Sequence, residues 1–122
     1  MILGIGNDIL EIERVHEAIT TQGDRFIEKL FTKREQAYCS KYKDPVPHYA
    51  ARFSAKEAIV KALGTGFGEM AAFHDIEIIN DELGKPEVFF SDALNSRFEN
   101  PEVLLSISHC KSYVSTVAIR IK

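Results

Sequence analysis

Apolar residues crowd both faces of the segment from Ile2 to Ile9, which predicts a first strand ended by Asn7-Asp8. The spacing then changes. Ile12, Val15, His16 and Ile19 fall at i, i+3, i+4 and i+7, a helical period that Gly23 stops. Phe26, Ile27, Leu30 and Phe31 predict a short amphipathic turn or two. Thr32 followed by Glu35 has the form of a capping box opening a helix to about Lys41. Asp44-Pro-Val-Pro47 breaks the chain, because proline removes a donor and restrains its predecessor. His48 to Leu63 is the clearest helix, with Ala51, Ala55, Ala58, Ile59 and Ala62 along one face, and Gly64-Thr-Gly-Phe-Gly68 ends it. Ile76–Ile79 and Glu87–Phe90 read as strands around the turn Asp81–Pro86, and Ser91 as the cap of a helix to Phe98. Val103–His109 and Tyr113–Ile121 form a tight hairpin around Cys110-Lys-Ser112. Helices interspersed with an antiparallel hairpin define an α+β class, a mainly antiparallel sheet packed on a long alanine-rich helix.

With 122 residues, 45% of them hydrophobic and 27% charged, the chain has the balance of one folded domain spanning 1–122, not of a disordered segment. No apolar run approaches the ~20 residues of a membrane-spanning helix, and the N-terminus lacks the basic region of a signal peptide. Cys39 and Cys110 sit in no metal-binding spacing and read as free thiols of a reducing cytoplasm. The net charge of −3 argues against a general nucleic-acid binder, yet it is unevenly spread. Arg25–Lys43 holds six basic residues against two acids, while Gly68–Leu104 holds nine acids against two bases. The basic run is either a solvated face or a docking surface for an acidic partner.

Four features could carry chemistry. Asp8 follows an apolar strand, as a helix cap or as a rigidly placed cation ligand. Glu57 and Lys61 are spaced i, i+4, as a surface ion pair or as a carboxylate and a cation one turn from a glycine loop. In the second reading Glu57 holds Mg²⁺, while Lys61 and the loop amides hold phosphate oxygens. Arg52 and Lys56 add a basic stripe. The glycine loop follows a helix and lacks the N-terminal dipole of nucleotide loops, so a plain C-cap competes with phosphate binding. Ser108 and His109 are adjacent on a strand and point to opposite faces, which disfavours a serine hydrolase. His16, His48, His74 and His109 show no zinc spacing.

Gly4-Ile-Gly-Asn-Asp-Ile-Leu-Glu-Ile-Glu-Arg14, Arg52-Phe-Ser-Ala-Lys-Glu-Ala-Ile-Val-Lys-Ala-Leu-Gly-Thr-Gly66, Gly84-Lys-Pro86 and Ser106-Ile-Ser-His109 with Tyr113 occur in that order across nearly the whole chain. Together they resemble the pattern of the holo-acyl-carrier-protein synthases, the small single-domain class of 4′-phosphopantetheinyl transferases. Asn7, Ser54 and Cys110 depart from the usual pattern, at positions expected to bear only on local packing. The resemblance implies that family's fold and the transfer of the 4′-phosphopantetheine arm of coenzyme A to a serine of apo acyl carrier protein. Adenosine 3′,5′-bisphosphate is then the by-product, and fatty-acid biosynthesis in the cytoplasm the setting. It further implies Mg²⁺ on Asp8 and Glu57, and a homotrimer binding coenzyme A between subunits. The implied catalytic residues are Asp8, Glu57 and Lys61, with a metal-bound water or Glu57 itself as general base. The implied coenzyme A contacts are Arg52, Lys56, Gly64, Thr65, Gly66, Lys85, Pro86 and His109. Arg14, Arg25 and Lys29 are expected to dock the carrier protein. Two other readings compete: a non-catalytic adaptor for an acidic partner, and a coenzyme A pyrophosphate hydrolase.

Overall fold

The computed structural model describes residues 1–122. Its elements run β1 (Gly4–Glu11), α1 (Ile12–Gln22), α2 (Asp24–Leu30), α3 (Lys33–Cys39), α4 (Val46–Leu63), a 3₁₀ turn (Phe73–Asp75), β2 (Ile76–Asn80), β3 (Pro86–Phe90), α5 (Asp92–Arg97), β4 (Val103–His109) and β5 (Tyr113–Arg120). The strands form two antiparallel sheets, β1-β5-β4 and β2-β3. The α+β class and the β4–β5 hairpin are as the sequence predicts.

Local signals act where they are written. Thr32 and Glu35 form the full capping box of α3, and Ser91 accepts from the Leu94 amide at the start of α5. α4 begins at Val46, two residues before the predicted start, since Pro47 falls in the first turn where a missing N–H costs nothing. β1 runs past Asp8 to Glu11, because β5 pairs with it as far as Glu11–Tyr113. Asp8 is therefore a mid-strand residue and caps no helix.

α4 is the centre of the molecule and is buried on several sides, not on one alanine face. One side packs on the inner face of β1-β5-β4. There Gly4, Gly6 and Asp8, two residues apart on β1, oppose Ala62, Ala58 and Ser54, four apart on α4. A Cβ on Gly4 would run into the Ala62 carbonyl; one on Gly6 would run into the Ala58 carbonyl and lie 2.7 Å from the Ala62 amide nitrogen. Glycine facing alanine thus draws helix and strand close enough for Ser54 to reach Asp8. The other side of α4 packs with Ile76, Ile78 and Leu94, from β2 and α5. A second core of Val15, Phe26, Leu30, Phe31, Tyr49 and Val114 fastens α1 and α2 to the first half of α4.

Cys39 is buried, Cys110 is exposed, and both are free. No helix is long and apolar enough to cross a membrane.

Candidate active site

Two clusters of polar side chains project from opposite sides of α4. The first lies against β1. Lys61 Nζ donates to the Asn7 carbonyl at 2.9 Å and lies 3.4 Å from Asp8 Oδ1. Ser54 Oγ donates to the other Asp8 oxygen at 2.8 Å and sits 3.0 Å from Thr116 Oγ1. Thr116 stands beside Asp8 across the β1–β5 ladder and donates to the Ser54 carbonyl at 3.0 Å. Partial burial of Glu57, and secondly the Asp8 charge beside it, raise its carboxyl above the ordinary value, with Lys61 pulling the other way. Asp8, Glu57 and Lys61 thus lie together, although Lys61 reaches β1 and not along the helix to Glu57. Asp8 and Glu57 are a pair of hard oxygen donors, and no cluster of three or more His, Cys, Asp or Glu forms in the chain. Two carboxylates with further positions left open suit Mg²⁺, which retains waters and takes substrate phosphates.

The second cluster faces β2. Arg52, 3% exposed, donates to the Ile78 carbonyl, the His48 carbonyl and Asn80 Oδ1 at 3.0, 3.3 and 2.8 Å. Its guanidinium lies 4.3 Å from the centre of the Tyr38 ring. Asn80 in turn donates to the Gly84 carbonyl, fixing the β2–β3 turn. Arg52, Pro86 and His109 line a cavity of about 240 Å³ together with Tyr38, His48 and Asn80. Ligand pockets usually measure ~300–1,000 Å³, so this one has room for only part of a large ligand. Tyr38, His48 and Asn80 carried no motif in the sequence; only the turn beside Asn80 pointed near them.

Other expectations are corrected. Lys56 is fully buried, its ammonium donating to Glu35 Oε1, the Leu30 carbonyl and the Phe73 carbonyl at 2.7, 2.8 and 3.0 Å. With all three donors used inside the core, it has none for coenzyme A. The amides of Gly64 and Thr65 donate to the carbonyls of Lys61 and Val60, the closing bonds of α4, so these two amides are not free to cradle phosphate. Gly66 alone keeps its amide outside that cap. Lys85, whose role stays open, lines a groove between β3 and β4 with Val88 and Val103 that adjoins the Arg52 cavity through Pro86. Ser54 is no mere packing residue, since it holds Asp8. Ser108 and His109 do fall on opposite faces of the sheet, as the alternation requires.

Arg14 on α1 and Arg25 and Lys29 on α2 are exposed. Elsewhere in the basic run, Lys33 pairs with Glu28 at 2.9 Å and Arg34 with Glu77 at 2.8 Å.

The family model of the 4′-phosphopantetheinyl transferase superfamily matches residues 4–118. The holo-[acyl-carrier-protein] synthase of Protochlamydia amoebophila is 52% identical over 119 residues, 98% of each chain. Among solved structures, the holo-[acyl-carrier-protein] synthase of Neisseria meningitidis matches with a TM-score of 0.93 at 36% identity, over all of both chains. That of Bacillus anthracis, in complex with CoA (3′,5′-ADP), matches with a TM-score of 0.85 at 37% identity, over 98% of this chain and 96% of that one. A shared fold, with matches across the residues that build both clusters, assigns the chain to the 4′-phosphopantetheinyl transferase superfamily.

Proposed function

We propose that this domain, residues 1–122, transfers the 4′-phosphopantetheine arm of coenzyme A to a serine of apo acyl carrier protein, in fatty-acid biosynthesis in the cytoplasm. The observation that carries the reading is the pairing of an Asp8–Glu57–Lys61 cluster with a separate basic cavity. In this reaction the serine attacks the β-phosphorus of a pyrophosphate, and the bond to the bridging oxygen breaks to release adenosine 3′,5′-bisphosphate. Positioning and charge neutralisation then carry most of the catalysis. Asp8 and Glu57 would hold Mg²⁺, which when bound neutralises the pyrophosphate. Lys61, anchored on β1, sets a fixed positive charge beside that position. Glu57 then serves as the carboxylate of this cluster that accepts the serine proton. The cavity of Arg52, Pro86 and His109 receives the other end of coenzyme A.

Arg52 and Lys61 are nine residues apart, about two and a half turns of a helix, and face β2 and β1 respectively. One coenzyme A therefore meets the two clusters on different copies of the chain. A homotrimer built on the outer face of β1-β5-β4 satisfies this. That face leaves Ile5, Ile9 and Leu104 at 67%, 70% and 54% exposure, an apolar surface fit for burial against another copy.

The test is incubation with coenzyme A, Mg²⁺ and an apo carrier protein. A carrier mass gain of one phosphopantetheine is the expected result. Free phosphopantetheine made without carrier would point to hydrolysis, and binding with neither product to an adaptor.

A further inference from the structure

The cavity beside Arg52 contains a group that the proposed reaction leaves unused. His48 and His109 reach its wall from the first turn of α4 and the end of β4, and no carboxylate lines it. Arg52 supplies fixed charge there, with three of its five N–H groups already donating to protein oxygens. His48 differs. Its carbonyl accepts from Arg52, while its ring is held by stacking, 3.6 Å from the Tyr42 ring at 17°, with Tyr38 edge-on at 6.3 Å. Packing fixes the orientation of the imidazole, and the hydrogen bonds of the chain leave its ring nitrogens available to a ligand.

Resting on the reading that this cavity takes one end of coenzyme A, we propose that His48 is a specificity contact for a phosphate monoester there. With His109, beside Arg52, it forms a cradle for a dianion. Coenzyme A carries one such group, the 3′-phosphate of its ribose; its pyrophosphate bears a single charge on each phosphorus and goes to the Asp8 side.

The surroundings of the ring set the sign of its response to pH. Burial first, then the charges of Arg52 and His109, hold His48 below its ordinary value, and Asp44 opposes them. Tyr38 and Tyr42 meet it with their aromatic rings, and Lys41 lies over the Tyr38 ring. An arriving dianion offsets the Arg52 repulsion and gives the ring an acceptor. His48 then takes a proton from solvent as the ligand binds. Affinity therefore strengthens as pH falls through the range between the free and bound values of His48, until the phosphate itself protonates near pH ~6.

Calorimetry on wild type, His48→Gln and His48→Phe near neutral pH tests this, with coenzyme A and 3′-dephospho-coenzyme A as ligands and two buffers of different ionisation enthalpy. Phenylalanine keeps the stack on Tyr42 and separates packing from proton binding. Wild type should take up protons with coenzyme A and not with the dephospho form. Both variants should lose part of that uptake and about tenfold of the preference for coenzyme A, the worth of one charge-assisted hydrogen bond. Their affinity for the dephospho form should hold. Unchanged preference and uptake in both variants, or equal loss of both ligands, overturns the proposal. A wild type that binds neither ligand overturns instead the coenzyme A reading of the cavity.

Discussion

Ser54 Oγ donates to Asp8 Oδ2 at 2.8 Å from a side chain with no exposed surface. Thr116 supports Ser54 from behind, so one oxygen of Asp8 is turned to core hydroxyls and the other toward Lys61. The carboxylate reaches the site with its rotation already restricted, and any cation it ligates meets a preset oxygen.

Ser54→Ala should therefore keep the fold, lose about 1 kcal/mol of stability, and raise the Mg²⁺ concentration for half-maximal transfer about tenfold. Mn²⁺ binding followed by its electron spin resonance gives a readout independent of turnover. An unchanged metal midpoint would show that Asp8 needs no such support.

The buried Glu35–Lys56 pair makes a different prediction. Glu35 also accepts from the amides of Thr32 and Ile78, so the pair ties α3, α4 and β2 together. Lys56→Met strands a buried carboxylate and should cost about 3–5 kcal/mol. Adding Glu35→Gln should recover part of the loss. Urea unfolding of both variants and of Glu35→Gln alone completes the cycle, and additive losses would deny the coupling.

Gly6→Ala should destabilise by about 1–3 kcal/mol or more, because the new methyl meets backbone atoms of α4 that cannot turn aside. Gly66→Ala, whose Cβ would point into open space, should change thermal stability little. Equal melting temperatures for Gly6→Ala and wild type would contradict the close approach of β1 and α4.

A site shared between copies predicts complementation. Asp8→Ala and His109→Ala chains, each inactive alone, should regain activity when mixed under subunit exchange. Random assembly restores about a quarter of the sites in a closed ring of heterologous interfaces. No recovery despite exchange, proven by mass measurement of mixed oligomers, would place both residues in one copy's site.

The exposed cations of α1 and α2 should govern carrier encounter and leave the chemical step alone. Arg14→Glu with Arg25→Glu should raise KM for the carrier several-fold, with KM for coenzyme A nearly constant. Rising salt should bring wild type toward the variant, since the Debye length shrinks to about 3 Å at 1 M. Loss confined to coenzyme A binding would exclude a docking role.

Features written within a few residues were legible in the sequence. The Thr32–Glu35 box, the Ser91 cap, the β4–β5 hairpin and the helix ending at Gly64 each follow from neighbours along the chain. Asp8, Glu57 and Lys61 could be named because a carboxylate, a second carboxylate and a cation recur at motif spacing. What could not be read was the fate of each polar residue on α4. Periodicity separates a buried stripe from an exposed one, but α4 is covered from several sides and its polar residues go to different neighbours. Lys56 entered the core because Glu35 waits there, 21 residues away; Ser54 became a support for Asp8, 46 residues away. Such partners meet only when the sheets close on the helix, and burial then makes each polar group adopt whichever partner lies within reach.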